Sequence, residues 1–372
     1  MDKPDKSDKT GKPIRILVID DSAFNRQTIT AMLEGTAGFQ VVGRAGDGEE
    51  GLKLAFQLSP DVITLDLEMP KMDGFSFLRL LMARQPTPVL VISGYATREN
   101  VFKALELGAL DFVAKPSRTI SAELRNIQEE LLQKVRLVTQ LRMVSLTDRA
   151  ARTRSSGTMS GTFAPPPEPI KPPPSRKEGP APPRLIAIGA STGGPPAINR
   201  ILVNLEPTLA AGIVVTQHMP AKFTRAFAER LDRTTPWNVR EAEPGDALTA
   251  GSVLVAPGSG SLVVRREGGS LKVDIVAQQP DDRYVPSVDR MLASCASAMG
   301  ADCLAIVLTG MGGDGGKGVR AVKAAGGRTL AEAPETAVIF GMPQEAIATG
   351  AVDEVVPLPN IPELIARFAQ KK

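Results

Sequence analysis

A single histidine, His218, occurs in the 372 residues. Any reaction that needs an imidazole base therefore has one candidate. Cysteine is nearly as scarce, with only Cys295 and Cys303, both in apolar surroundings. Two such thiols argue against a disulfide scaffold and fit a reducing, cytoplasmic compartment. Long apolar runs are missing as well. The best of them, residues 304–308, falls far short of the ~20 residues a helical membrane span requires. No direct membrane insertion is expected, and any action on a membrane protein comes from the cytoplasmic side. Residues 1–13 are rich in Lys and Asp and lack the apolar core of a signal peptide. Charge of one sign is also weak, at a formal net of +3. Residues 142–184 hold eight Lys/Arg against three Asp/Glu, a local net of +5 that leaves the remainder near −2. A nucleic-acid-binding domain would place basic residues on a folded face, so no nucleic-acid partner is expected.

Length and punctuation suggest two domains. Across residues 14–136, short apolar runs read as buried strands at 14–19, 39–42, 62–65, 89–92 and 112–113. Amphipathic stretches at 23–33, 48–58, 75–83 and 98–107 separate them, and residues 122–144 read as a longer helix. That alternation predicts a five-stranded parallel sheet covered on both faces. Residues 137–183 then form a helical extension and a linker. Ten of the 31 prolines fall between Pro165 and Pro183, a composition that is extended and builds no core. Residues 184–372 are again α/β and doubly wound. Strands are expected at 185–188, 213–216 and 304–308, helices at 195–202, 223–231, 288–298 and from 318, and hairpin strands at 253–255, 262–264 and 271–275.

In the first half, acidic residues stand at the ends of predicted strands. Asp20 and Asp21 follow the first, Asp66 ends the third, Ser93 ends the fourth and Lys115 ends the fifth, before Pro116. Neighbouring parallel strands bring these residues to one edge. Three crowded carboxylates repel one another and call for a hard divalent cation with oxygen ligands, such as Mg²⁺. Asp66 can then attack a phosphoryl donor, with Lys115 and Ser93 holding the transferred oxygens. The plainer alternative is that such aspartates cap helices, which for Asp20 or Asp61 alone is the better reading.

This half resembles the receiver domains of two-component signalling through residues 16–21 (ILVIDD), 66–74 (DLEMPKMDG), Ser93 with Tyr95, and Lys115 with Pro116. The resemblance implies a flavodoxin-like fold and phosphorylation of Asp66 by a histidine kinase. It also implies metal binding by Asp21, Asp66 and the backbone carbonyl of Glu68, with Asp20 assisting. Tyr95 becomes the aromatic that switches with Ser93.

In the second half, residues 189–193 (GASTG) match G-x-S-x-G between a strand and a helix, the context that motif needs. The turn lifts the Ser191 hydroxyl clear of the sheet, and amides at the helix start suit a developing oxyanion. Gly-rich turns of this kind also bind phosphates, but neither G-x-G-x-x-G nor a G-K-[ST] ending is present. His218 follows the next strand, where a lone histidine is more often a surface or capping residue. Asp314, in a Gly-rich turn after the strand at 304–308, suits the third place, where a carboxylate fixes the imidazole tautomer. Asp281, Asp282, Asp289 and Asp302 compete with it on proximity. The order Ser–His–Asp matches neither the α/β-hydrolase, the chymotrypsin nor the subtilisin order.

This half is similar to the chemotaxis methylesterase (CheB) family through residues 188–194 (IGASTGG), 217–220 (QHMP) and 308–315 (LTGMGGDG). The resemblance implies a triad of Ser191, His218 and Asp314, with backbone amides near Thr192 and Met311 as the oxyanion hole and no cofactor for the esterase. One departure is Gly313, where many relatives carry asparagine. The implied substrates are γ-glutamyl methyl esters on methyl-accepting chemoreceptors, with deamidation of specific receptor glutamines by the same route. The receiver is expected to cover and slow the hydrolase until Asp66 is phosphorylated. A non-catalytic binding module, a hydrolase of small esters and a nucleotide-binding domain are the competing readings.

Overall fold

The computed structural model describes residues 12–94, 98–115, 121–137, 181–280 and 282–370. Tyr95, Pro116, Asp281 and most of the Pro-rich stretch lie outside them. The chain divides into two compact units.

The first unit carries β1 (Ile14–Ile19), α1 (Ala23–Glu34), β2 (Phe39–Ala45), α2 (Gly48–Leu58), β3 (Val62–Asp66), α3 (Gly74–Arg84), β4 (Val89–Ser93), β5 (Asp111–Ala114) and α5 (Ser121–Leu137), with α4 (Arg98–Glu106) between β4 and β5 in the chain. Its sheet is parallel in the order β2-β1-β3-β4-β5, as the alternating pattern predicts. β3, β4 and β5 are buried at every position, the signature of strands covered on both faces. Two helices begin on aspartate caps. Asp47 accepts the Glu50 amide and Asp73 accepts the Ser76 amide. Asp20 and Asp61 do not cap: Asp61 accepts the Arg15 amide at 2.7 Å. The order reverses at β1 and β3, and in open α/β sheets ligands bind at that switch point, beyond the carboxyl ends of the strands.

The second unit contains β6 (Arg184–Ala190), α6 (Gly194–Val203), β7 (Ala211–Gln217), α7 (Ala221–Thr234), β8 (Asn238–Glu241), β9 (Ala247–Leu248), β10 (Ser252–Val255), β11 (Ser261–Glu267), β12 (Ser270–Val276), α8 (Val288–Met299), β13 (Cys303–Val307), α9 (Gly316–Ala324), β14 (Arg328–Glu332), α10 (Gly341–Ala348), β15 (Glu354–Val356) and α11 (Ile361–Gln370). Seven strands form a parallel sheet in the order β15-β14-β13-β6-β7-β10-β8. A second, antiparallel sheet is ordered β11-β12-β9.

The expectation that residues 253–255 belong to the hairpin is wrong. β10 pairs in parallel with β7 and β8 inside the large sheet. Its Val253, Leu254 and Val255 are all fully buried, which marks a strand covered on both faces and not the half-exposed alternation of a hairpin. The short β9 takes the third place beside the hairpin. β6 is central. β7, β10 and β8 lie to one side, and β13, β14 and β15 to the other, so the switch point of this sheet falls between β6 and β13.

Candidate active site and phosphoacceptor site

Ser191 follows β6 directly, at the switch point. Each glycine flanking the turn has a separate reason. Gly193 adopts φ +81°, a conformation that favours glycine, as it starts α6. Gly189 is not bent in this way. A Cβ there would lie 2.3 Å from Val288 Cγ1, so its missing side chain lets the first turn of α8 approach β6. Neighbouring strand ends hold the turn through backbone bonds: the Ser191 amide donates to the Thr309 carbonyl at 3.0 Å, and the His218 amide to the Ala190 carbonyl at 3.0 Å. Gln217 Nε2 donates to the carbonyls of both Ser191 and His218, at 2.9 and 3.1 Å.

His218 and Asp314 meet. The imidazole Nε2 lies 2.8 Å from Asp314 Oδ2, so Nδ1 is the ring nitrogen left to serve a substrate or the serine. The Ser191 hydroxyl makes no hydrogen bond to the ring among the described residues. Catalytic hydrogen bonds often close only in the substrate complex. Tyr284 stacks on the imidazole ring, with ring centroids 4.9 Å apart and planes within 4°.

Asp314 is buried and takes three further donors from the start of α8. Its carboxylate accepts the Val288 amide at 2.7 Å, the Asp289 amide at 2.9 Å and the Ser287 hydroxyl at 3.2 Å. The positive end of α8 therefore faces the acid. Burial alone would push this carboxyl up. The bond to His218, the imidazole charge and the two amides outweigh it, holding Asp314 below its ordinary value. The rivals have other partners: Asp282 pairs with Arg290, Asp302 with Arg184, and Asp289 with the amides of Gly315 and Gly318. Thr192 is buried beside Ser191. The Met311 amide has no protein acceptor among the described residues. A Cβ at Gly313 would stand at ordinary contact distance, 3.6 Å or more, from Glu345.

One group escaped the sequence reading. Glu332 ends β14 fully buried, and its Oε2 accepts the Thr309 amide at 2.9 Å. Its Oε1 has no protein partner among the described residues. Burial pushes this carboxyl up to about 7, against the lowering pull of the Thr309 amide, the Thr336 hydroxyl and the Arg200 charge. The folded state thus keeps a proton that the unfolded chain releases near pH 4.5. Stability contributed below pH 4.5 is lost as pH rises toward 7 and above. Glu332→Gln keeps the shape without the ionisation. Urea unfolding should show the variant more stable than the parent by roughly 3 kcal/mol at pH 8, at ~1.4 kcal/mol per pKa unit, with the gap closing near pH 4.5. Parallel stability curves across that range would remove the claim.

In the first unit, Asp20, Asp21 and Asp66 converge, each offering an oxygen within 4.8 Å of the others. Burial and the Asp66 charge push the Asp20 carboxyl up, a measure of the crowding. Lys115 Nζ sits 2.6 Å from Asp66 and 3.6 Å from Asp20. Burial pulls Lys115 down, but Asp66 and the other aspartates more than compensate and raise it. Ser93 is buried at the end of β4, and its carbonyl accepts the Lys115 amide at 2.8 Å. The Glu68 amide donates to Asp66 at 3.3 Å. An all-oxygen, anionic donor set of this kind fits a hard divalent cation.

Comparison with known proteins follows the same division. A profile of the CheB methylesterase family matches residues 186–365, and one of the response regulator receiver domain matches residues 16–126. The chain is 50% identical over 362 residues to protein-glutamate methylesterase/protein-glutamine glutaminase 3 of Geobacter sulfurreducens, covering 96% of this chain and 98% of that one. It is 48% identical over 359 residues to protein-glutamate methylesterase/protein-glutamine glutaminase 1 of Myxococcus xanthus, covering 96% and 98%. Among solved structures, the CheB methylesterase catalytic domain of Thermotoga maritima is 39% identical, covers 50% of this chain and 98% of its own, and superposes with a TM-score of 0.49.

Proposed function

The chain belongs to the CheB methylesterase family, with a response regulator receiver domain ahead of the hydrolase, and on that premise we propose that Ser191, His218 and Asp314 hydrolyse γ-glutamyl methyl esters under the control of Asp66. The enzyme is a hydrolase of the protein-glutamate methylesterase/protein-glutamine glutaminase kind. The observation that supports the site assignment most is the hydrogen bond between His218 and Asp314, at the same sheet edge from which Ser191 projects.

His218 takes the Ser191 proton at Nδ1 as the hydroxyl attacks the ester carbonyl, and Asp314 holds Nε2–H and balances the imidazolium. The amides of Thr192 and Met311 receive the oxyanion. Methanol leaves with the proton from His218. Water, activated by the same base, then releases the glutamate and restores Ser191. A receptor glutamine follows this path with ammonia as the leaving group. Substrates are methyl-accepting chemoreceptors, approached from the cytoplasm. We assign residues 14–136 to the receiver, 137–183 to the connection and 184–372 to the hydrolase.

In the receiver, Asp66 accepts a phosphoryl group from a histidine kinase. Asp21, Asp66 and the Glu68 carbonyl, with Asp20 assisting, would hold Mg²⁺, which would supply positive charge to the phosphoryl oxygens. Lys115, Ser93 and Tyr95 respond to the new charge. Phosphorylation then raises hydrolase activity.

The test is methanol release from methylated receptor membranes, with and without a small phosphodonor and Mg²⁺. The phosphodonor should stimulate release by roughly 5–150-fold, the usual range for coupled sites. Asp66→Asn should lose that stimulation entirely. An Asp66→Asn protein that still responds would remove Asp66 from the phosphoacceptor role. No release under any condition would remove the methylesterase reading.

A further inference from the structure

Two carboxylates near the site are exchanged between two helices. Asp314 lies just before α9, yet its oxygens accept the amides of Val288 and Asp289 at the start of α8. Asp289 lies in the first turn of α8, yet its Oδ1 accepts the amides of Gly315 and Gly318 at the start of α9, at 2.9 and 2.7 Å. Each helix start is thus satisfied by the acid of the other, and the Asp289 backbone amide bonds to Asp314 itself. A helix start leaves its first amides without partners inside the helix; Ser287 caps the Arg290 amide of α8 from within, and the exchange satisfies the amides of Val288, Asp289, Gly315 and Gly318.

The cross-bond closes on the loop that carries the triad acid. Gly315 follows Asp314 directly and has φ +107°, so its own conformation does little to hold the loop. Its amide is fixed by Asp289. Burial and the Asp314 charge both push the Asp289 carboxyl up, against the pull of the Gly318 amide. The fold therefore keeps two acids close together at an electrostatic disadvantage, although a neutral residue would cap α9 without it.

We propose that Asp289 is a positioning residue for the hydrolysis, holding the Asp314 carboxylate at the distance from His218 Nε2 that the base requires. Its instrument is the pair of bonds to Gly315 and Gly318. It touches neither substrate nor reacting atoms. The claim rests on the triad assigned above and adds a fourth side chain to it.

The test compares three full-length proteins on methylated receptor membranes: the parent, Asp289→Ala and Asp289→Asn. Asparagine keeps the Oδ1 acceptor for both amides, and alanine removes it. Asp289→Ala should lower kcat by about 10- to 100-fold, the scale of a misplaced catalytic group, with KM within about twofold. Asp289→Asn should restore kcat to within about fivefold of the parent. If Asp289→Ala does not fold, Asp289→Ser, with one short acceptor, takes its place and should have a lower kcat than Asp289→Asn; a serine variant equal to the parent would overturn the proposal. Equal kcat in parent and alanine variant would overturn the proposal, as would an asparagine variant no better than alanine. A loss confined to KM would overturn it too. Methanol release by the parent keeps the methylesterase reading apart: if the parent is active and the variants match it, only this inference fails.

Discussion

Methanol release should fall by about 10⁵- to 10⁶-fold in Ser191→Ala, the scale seen when a triad nucleophile is deleted. The loss should be one of chemistry alone. Alanine keeps the Cβ, and the bonds that hold this turn are made by backbone atoms: the Ser191 amide to Thr309, and the Ser191 carbonyl to Gln217 and Gly194. Thermal unfolding of the variant should match the parent. The residual rate is water attacking the ester with His218 still in place, helped by the amides that receive the oxyanion. Such sites retain about 10³–10⁴-fold over water without a triad member. A variant that keeps a tenth or more of the parent rate would take the nucleophile's role away from Ser191. A variant that unfolds early would mean that the hydroxyl has a structural partner as well.

Asp314→Asn should lower kcat by about 10⁴-fold with little change in KM, by analogy with the same exchange in the serine-protease triad. Asp314 Oδ2 accepts both His218 Nε2 and the Val288 amide, and Oδ1 accepts the Asp289 amide and the Ser287 hydroxyl. Every partner is a donor. Asparagine brings one oxygen and one NH₂ to a position built for two acceptors. With the NH₂ toward His218, Nε2 must become the acceptor and its proton moves to Nδ1. The nitrogen facing Ser191 is then no longer a base. With the NH₂ turned the other way, it opposes the Asp289 amide and loosens the start of α8. Steady-state kinetics separate these effects from substrate binding. A kcat within tenfold of the parent would mean that the acid contributes packing and little else.

Much of this site is legible in the sequence. G-x-S-x-G marks Ser191 because a strand precedes it and a helix follows. His218 stands out because no other histidine competes with it. Receiver strands are equally plain, since β1 spans the apolar run at residues 14–19 from end to end. Long-range relations are harder to read. Asp314 and its rivals share one segment of sequence, and only the docking of α8 decides which carboxyl faces the imidazole. The run at 253–255 is apolar whether its neighbours are parallel or antiparallel, so its sheet could not be read from the run itself. Glu332 sits in a stretch that gives no sign of a strand ending behind the active-site loop, and its burial depends on β13 and β15 lying to either side of β14. Gly189 reads as part of a turn motif, yet its contact is with Val288, far along the chain.

The central place of β6 also sets an order of events during synthesis. Residue 185 pairs with residue 303, and Asp314 comes later still. At ~5–20 residues per second, roughly 6–24 s separate the emergence of the nucleophile's strand from that of its partner β13. A half-made hydrolase exposes Ser191 and His218 but has no acid to orient the ring. By then the receiver sheet, complete at residue 114, has long left the ribosome, and domains fold in that order, N-terminal first. A nascent chain that follows this order carries a folded receiver before its esterase is assembled. On the proposed function, this order of synthesis keeps the esterase from being complete before the domain that would control it.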